Sequence, residues 1–280
     1  MKNAIIDIGS NSVRLLFNGQ KYVENTQLAE NLMNTEKLCE NAMERTVNAV
    51  KSFASMVKNN GASGVYAFAT EAVRAATNRN EFIDKINELG INFQLLSTEE
   101  ESKAGFMGAY TDKCSAILDI GGASSELTVG DEKGIIYAHS LPLGSVRLKD
   151  YSDDALKQYE YACFRVNEYG KVPKFDKLIS IGGSVSVLKA VSLKMKDYDP
   201  NVIHNSVMSR GEIKTAVESI LAVNEDERKF IPGLPEKKIK VAPAGGIIAV
   251  AIMNYLGADK LILSERDNLE GFAMINNIEI

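Results

Sequence analysis

Short apolar runs and helical stripes alternate along the chain. Ala4-Ile5-Ile6-Asp7-Ile8 is an apolar run holding one acid, followed by Gly9-Ser10-Asn11-Ser12 and a second apolar run over 13–17. This pattern predicts strand, tight turn, strand. Over 36–60, Leu38, Ala42, Val47, Val50, Phe53, Ala54 and Val57 recur at three-and-four spacing, which predicts an amphipathic helix stopped by Gly61. Strands are expected at 65–69 and 93–96, with helices at 71–76, 82–89 and 98–109.

The opening pattern then returns. Ala116-Ile117-Leu118-Asp119-Ile120-Gly121-Gly122 echoes Ala4-Ile5-Ile6-Asp7-Ile8-Gly9-Ser10, with the aspartates 119 − 7 = 112 residues apart. A strand is expected at 126–129, and a turn at 131–134 leads into a strand over 135–141. Helices follow at about 152–170, a strand at 178–181 and a third glycine turn at Gly182-Gly183-Ser184. Ser209 and Glu212 form a capping-box pattern ahead of another helix, with a late strand at 261–263 and a final helix at 268–275. Alternating strands and helices predict the α/β class. The repeat predicts a duplicated domain with a cleft between the copies, divided into 1–111 and 112–280, the last helix being able to pack back on the first lobe.

Composition narrows the function. The 280 residues are 45% hydrophobic and 25% charged, which excludes disorder and collagen-like structure. With 32 Lys plus Arg against 37 Asp plus Glu, the net charge of −5 argues against nucleic acid as partner. Cys39, Cys114 and Cys163 show no zinc or disulfide spacing and are expected as reduced thiols. No targeting segment is visible. The most apolar stretch, 242–253, contains Pro243 and a glycine pair and is too short for a membrane span. A cytoplasmic protein without a membrane partner is expected.

The two Asp-Ile-Gly turns carry the chemistry. A glycine turn after a strand brings backbone N–H groups close to a phosphate, and serine and asparagine side chains add donors. Gly9, Ser10, Asn11 and Ser12 of the first turn, and Gly121, Gly122 and Ser124 of the second, are the phosphate-binding candidates. Asp7 and Asp119 at the strand ends can hold a hard cation such as Mg2+. The net charge does not exclude a local basic pocket for a small polyanion, and Arg74, Arg147, Arg266 and Lys189 are the candidate cations. Thr98 with Glu101 fits a capping box, so Glu101 has a structural reading. Glu126 stands alone among small and apolar residues, which calls for a partner. His139 and His204 lack neighbours at ligand spacing and read as structural or surface residues.

Asp7-Ile8-Gly9-Ser10-Asn11-Ser12 and Asp119-Ile120-Gly121-Gly122-Ala123-Ser124-Ser125-Glu126 resemble the phosphate loops of the exopolyphosphatase / guanosine pentaphosphate phosphohydrolase family. That family belongs to the sugar kinase, actin and heat-shock chaperone ATPase superfamily. The segments 69–78, 99–101, 140–148, 244–247 and 264–271 fit in the same order. The resemblance implies two ribonuclease-H-like lobes and Mg2+-dependent removal of terminal phosphate from polyphosphate or guanosine pentaphosphate. It implies Glu101 as catalytic base, Asp119 and Glu126 as metal- and water-organising carboxylates, and Arg74 as a phosphate-binding arginine.

Some segments depart from the family pattern. Ala123 stands where a third glycine is usual, and 26–31 lacks the expected basic residue and glycines. The sequence also lacks the C-terminal helical region of long members, so short polyphosphate chains are expected to be favoured and release is expected to be distributive. The rival expectations are a catalytically weak polyphosphate or guanosine pentaphosphate binding module, and a small-molecule kinase of the same superfamily. Oligomeric state is left open, a homodimer included.

Overall fold

A computed structural model describes residues 2–280. The chain divides into two compact units, Met1–Gly108 with Asn268–Ile280, and Ala109–Asp267. The final helix therefore belongs to the first unit.

In the first unit the strands are β1 (Ala4–Ile8), β2 (Ser12–Phe17), β3 (Gln20–Asn25), β4 (Val65–Ala69) and β5 (Asn92–Leu95). Its helices are α1 (Leu32–Thr35), α2 (Glu40–Asn59), α3 (Glu71–Ala75), α4 (Arg79–Asn87), α5 (Thr98–Ala109) and, at the chain end, α12 (Asn268–Ile275). The sheet order is β3-β2-β1-β4-β5. β1 is buried along its whole length, as an apolar run covered on both faces should be. It pairs antiparallel with β2 and parallel with β4. α2 buries Ala42, Val50, Ala54 and Val57 of the expected stripe together with Met43, Thr46 and Ala49, which were not in it, while Val47 and Phe53 are half-buried.

α12 is fixed in this unit by several contacts. Phe272 packs on Phe68 with ring centroids 4.7 Å apart, and Lys21 Nζ donates to Glu270 Oε2 at 3.0 Å. A Cβ at Gly271 would lie 1.7 Å from the Ala104 carbonyl oxygen, so only glycine lets α12 lie this close to α5.

The second unit contains β6 (Ser115–Ile120), β7 (Ser125–Asp131), β8 (Gly134–Leu141), β9 (Lys177–Ile181), β10 (Val207–Ser209) and β11 (Lys260–Leu263). Its helices are α6 (Ser145–Tyr151), α7 (Ala155–Arg165), α8 (Gly183–Ser192), α9 (Pro200–Ile203), α10 (Arg210–Leu221) and α11 (Ala242–Leu256). The sheet order is β10-β11-β9-β6-β7-β8. Read from β8, this repeats the order of the first sheet and adds an antiparallel edge strand, β10. The class is α/β, with two sheets of ribonuclease-H-like order.

Several elements escape the pattern reading. β3 is a mostly exposed edge strand with no alternation to reveal it. The apolar stretch from Ala242 is a core helix, buried nearly all round. Pro243 sits in its first turn, where a missing N–H costs nothing, and Gly257 ends it in the left-handed conformation. The helix expected from residue 36 begins at Glu40, because Glu36 is itself left-handed at φ 54°. The Ser209–Glu212 capping box is present in full. Among the described residues no helix is long and apolar enough to cross a membrane.

Candidate functional site

In each unit the candidate residues gather where parallel strands end, the usual place for ligands in open α/β sheets. Gly9 follows β1, α3 follows β4 and α5 follows β5; Gly121 follows β6, Gly182 follows β9 and Ser264 follows β11.

The first turn is closed by a hydrogen bond from Gly9 N to the Ser12 carbonyl at 3.0 Å. Its carbonyls face the chain segment that departs from the expected pattern. Ser10 O accepts from Ala29 N at 2.9 Å, and Asn11 O accepts from Thr26 N at 3.1 Å and Gln27 N at 3.0 Å. The missing glycines of that segment are not missed structurally: Gln27 and Asn31 take the left-handed conformation at φ 51° and 58°. Asn11 is only 8% exposed, and its Nδ2 has no hydrogen-bond partner. A buried amide left unsatisfied costs about 1–3 kcal/mol, which a phosphate oxygen would remove. Asp7, expected among the cation ligands, gives its carboxylate to Arg14, which donates from Nε at 2.9 Å and also from Nη2.

Glu101 is resolved from its capping reading by one residue of register. The box is formed by Ser97 and Glu100: Glu100 Oε2 accepts from Ser97 N at 2.7 Å and Ser97 Oγ accepts from Glu100 N at 3.1 Å. Glu101 lies one position on, buried at 6% exposure, and meets Arg74. Its Oε2 accepts from both Nη1 and Nη2 of Arg74 at 3.1 Å. Arg74 Nη1 also donates to the Leu96 carbonyl and Nη2 to Glu71 Oε2, both at 2.7 Å. Glu71 was not singled out from the sequence, although its i,i+3 spacing to Arg74 is a helical ion-pair signal.

In the second unit, Gly121 N donates to Ser124 O at 2.9 Å, closing a turn like the first. Its carbonyls are taken by the start of α6. Gly121 O accepts from Ser145 N at 2.9 Å, and Gly122 O from Val146 N at 2.9 Å and Arg147 N at 3.1 Å. Gly144 makes this possible, since a Cβ there would stand 2.3 Å from Gly122 O. Ala123, the substituted glycine, is absent from the positive-φ residues and is therefore unstrained. Arg147 Nε donates to Ala123 O at 2.8 Å, which anchors that arginine beside the turn.

Asp119 and Glu126 are direct partners across β6 and β7, so both side chains stand on one face of the sheet. Glu126 is 4% exposed and its expected partner is Ser140, whose Oγ donates to Oε1 at 2.6 Å. Tyr169 lies beneath, donating to Ser125 O at 3.0 Å. Burial first, and then the charge of Glu126, pushes its hydroxyl far above the usual tyrosine range, which keeps it a donor. Asp119 Oδ1 lies 3.0 Å from the position a Cβ would take at Gly182, which brings the third glycine turn to the same place. Lys238 Nζ reaches 3.5 Å from the corresponding point at Gly183, a cation that no sequence pattern marked.

Arg266 is exposed beyond β11, while Lys189 Nζ donates to Val207 O at 3.0 Å at the far end of α8. His204 Nδ1 accepts from Glu265 N at 3.2 Å, and His139 packs edge-on to Tyr169 at 5.7 Å; both are structural.

The donor chemistry suits a hard divalent cation. Among the described residues no three His, Cys, Asp or Glu side chains converge on one point. Mg2+ usually takes only one or two protein carboxylates, with waters and substrate phosphates completing its shell. Asp119 and Glu126 fit that habit.

The fold has close counterparts. An exopolyphosphatase-like protein of solved structure superposes with a TM-score of 0.87 at 24% identity, covering 98% of each chain. A Ppx/GppA family member from Aquifex aeolicus gives a TM-score of 0.79 at 25% identity, covering 99% of this chain and 97% of its own. A bifunctional 3-dehydroquinate synthase/phosphatase of Fusobacterium nucleatum is 30% identical over 99% of this chain, which spans 46% of that protein's length. Exopolyphosphatase 2 of Mycobacterium tuberculosis is 23% identical over 97% of both chains. The guanosine-5'-triphosphate,3'-diphosphate pyrophosphatase of Vibrio vulnificus is 27% identical over 96% of this chain and 58% of its own. Residues 5–274 match the model of one family along nearly the whole chain, and both glycine turns and the Arg74–Glu101 pair fall within that match: the chain belongs to the Ppx/GppA phosphatase family.

Proposed function

We propose that this chain is a phosphoric anhydride hydrolase that removes terminal phosphate from inorganic polyphosphate or guanosine pentaphosphate, with Mg2+ as its cation. One observation carries the reading: the helix cap belongs to Ser97 and Glu100, which leaves the buried carboxylate of Glu101 directed at Arg74. The names of the Mycobacterium and Vibrio relatives support the two substrate classes.

The geometry supports the following roles. Backbone N–H groups of the glycine turns, with the Asn11 amide, bind phosphate oxygens. Arg74 orients a phosphate by its planar fork. Glu101 takes a proton from the attacking water, a step whose rate rests on position and charge neutralisation. Asp119 and Glu126 would hold the cation, with Ser140 fixing the Glu126 carboxylate. When bound, Mg2+ neutralises charge developing on phosphate oxygens. Asp7 is assigned to holding Arg14.

The test is Glu101→Gln, assayed for phosphate release from graded polyphosphates and from guanosine pentaphosphate. Turnover should fall about 10²–10⁴-fold. The thermal midpoint should change little, because the cap is made elsewhere and Arg74 keeps Glu71 and the Leu96 carbonyl. Full activity with a large loss of stability would return Glu101 to a structural role.

A further inference from the structure

The guanidinium of Arg74 is held unequally. Its contacts to Glu71 Oε2 and to the Leu96 carbonyl are 2.7 Å, whereas Glu101 meets both terminal nitrogens through a single oxygen at 3.1 Å. Charge-assisted N–H···O bonds are strongest near 2.7–2.9 Å, so Glu101 has the looser hold on Arg74. Glu71 and Arg74 lie on one short helix, α3, at i and i+3, so their contact is set by local backbone. Glu101 comes from a different helix, α5.

We propose that Glu71 is a positioning residue for Arg74, an inference that rests on the hydrolase reading above. Glu71 and the Leu96 carbonyl keep the guanidinium in place while Glu101 exchanges its contact with Arg74 for a contact with water. A second carboxylate on the same arginine also shares its charge and competes with a closed one-to-one pair between Arg74 and Glu101. In such a pair the carboxylate would be satisfied by arginine and poor at accepting a proton, and the arginine would be turned from the phosphate. Glu71, at 22% side-chain exposure, makes this contact from the rim of the buried Glu101, which is 7% exposed.

The experiment is a double-mutant cycle on Glu71→Ala and Arg74→Ala, with Glu71→Gln as the conservative variant. Two quantities are read: kcat for phosphate release from tripolyphosphate with Mg2+, and calorimetric affinity for tripolyphosphate. Glu71→Ala alone should lower kcat about tenfold and weaken affinity by a similar factor, since small misplacements of a binding group are costly. Glu71→Gln, whose amide oxygen still accepts from Nη2, should recover most of both. In Arg74→Ala protein, removing Glu71 should change neither by more than about twofold, because the two residues act as one unit. The same loss in both backgrounds, or no loss from Glu71→Ala alone, overturns the proposal. Wild-type protein that binds tripolyphosphate without releasing phosphate from any substrate overturns the hydrolase reading instead, and the affinity cycle then decides the role of Glu71. Wild-type protein that neither binds nor hydrolyses overturns both.

Discussion

The two strand–turn–strand hairpins share a design and differ in the side chain that faces the aspartate. In each, an aspartate precedes Ile-Gly, and the turn closes through a glycine N–H to a serine carbonyl, at 3.0 Å in the first and 2.9 Å in the second. In each, the residue seven positions after the aspartate is its partner on the next strand: Arg14 for Asp7 and Glu126 for Asp119. The first hairpin thus neutralises its own acid. The second sets two acids side by side, an arrangement that disfavours the pair itself and favours a cation. One backbone motif thus carries two cross-strand pairs, one of opposite charge and one of like charge.

Four substitutions break or sharpen this comparison. The largest effect is expected from Glu126→Arg, which copies the pair of the first hairpin onto the second. Phosphate release should fall at least about 10³-fold, the upper range for losing one preorganised charge, and calorimetric Mg2+ binding should disappear. Retained Mg2+-dependent turnover would mean that the partner of Asp119 does not set its role.

The converse change, Arg14→Glu, places an acid opposite Asp7, which is 4% exposed. Breaking a buried pair and leaving a charge behind should destabilise the protein by about 3–5 kcal/mol, measured by urea unfolding. An unchanged unfolding midpoint would show that Asp7 does not depend on Arg14.

The finest discrimination comes from neutralising each aspartate. Asp119→Asn should raise the Mg2+ concentration for half-maximal activity by about 10–100-fold, while Asp7→Asn should move it less than about twofold. Equal shifts would put Asp7 back in the cation shell.

Much of this molecule is readable from its sequence because much of it is local. The 112-residue offset that relates Asp7 to Asp119 also relates Arg14 to Glu126, so the repeat itself carried the difference between the hairpins. The α/β class, β1 and the Ser209–Glu212 cap follow from residues within a few positions of one another. β3 and α11 were obscured for opposite reasons. An exposed edge strand needs no apolar alternation, and a helix buried all round shows no stripe.

The candidate site was legible as a set of residues and not as a set of partnerships. Ser97 with Glu100 and Thr98 with Glu101 satisfy the same capping pattern, and nothing within the segment chooses between them. The choice was made by where α5 begins after β5 and by Arg74, 27 positions away in the chain. The tie of 26–29 to the first turn, the Ser140 contact with Glu126 and the close approach of α12 to α5 at Gly271 are likewise non-local. The sequence by itself determined which residues carry charge, which turns can approach a phosphate and which strands precede them. Those properties depend on side-chain type and on neighbours within about one turn or one hairpin. Only the tertiary structure decided that Arg74 meets Glu101 as well as its helical neighbour Glu71, because a hydrogen bond acts over about 3 Å, and a separation of 27 positions along the sequence says nothing about that distance.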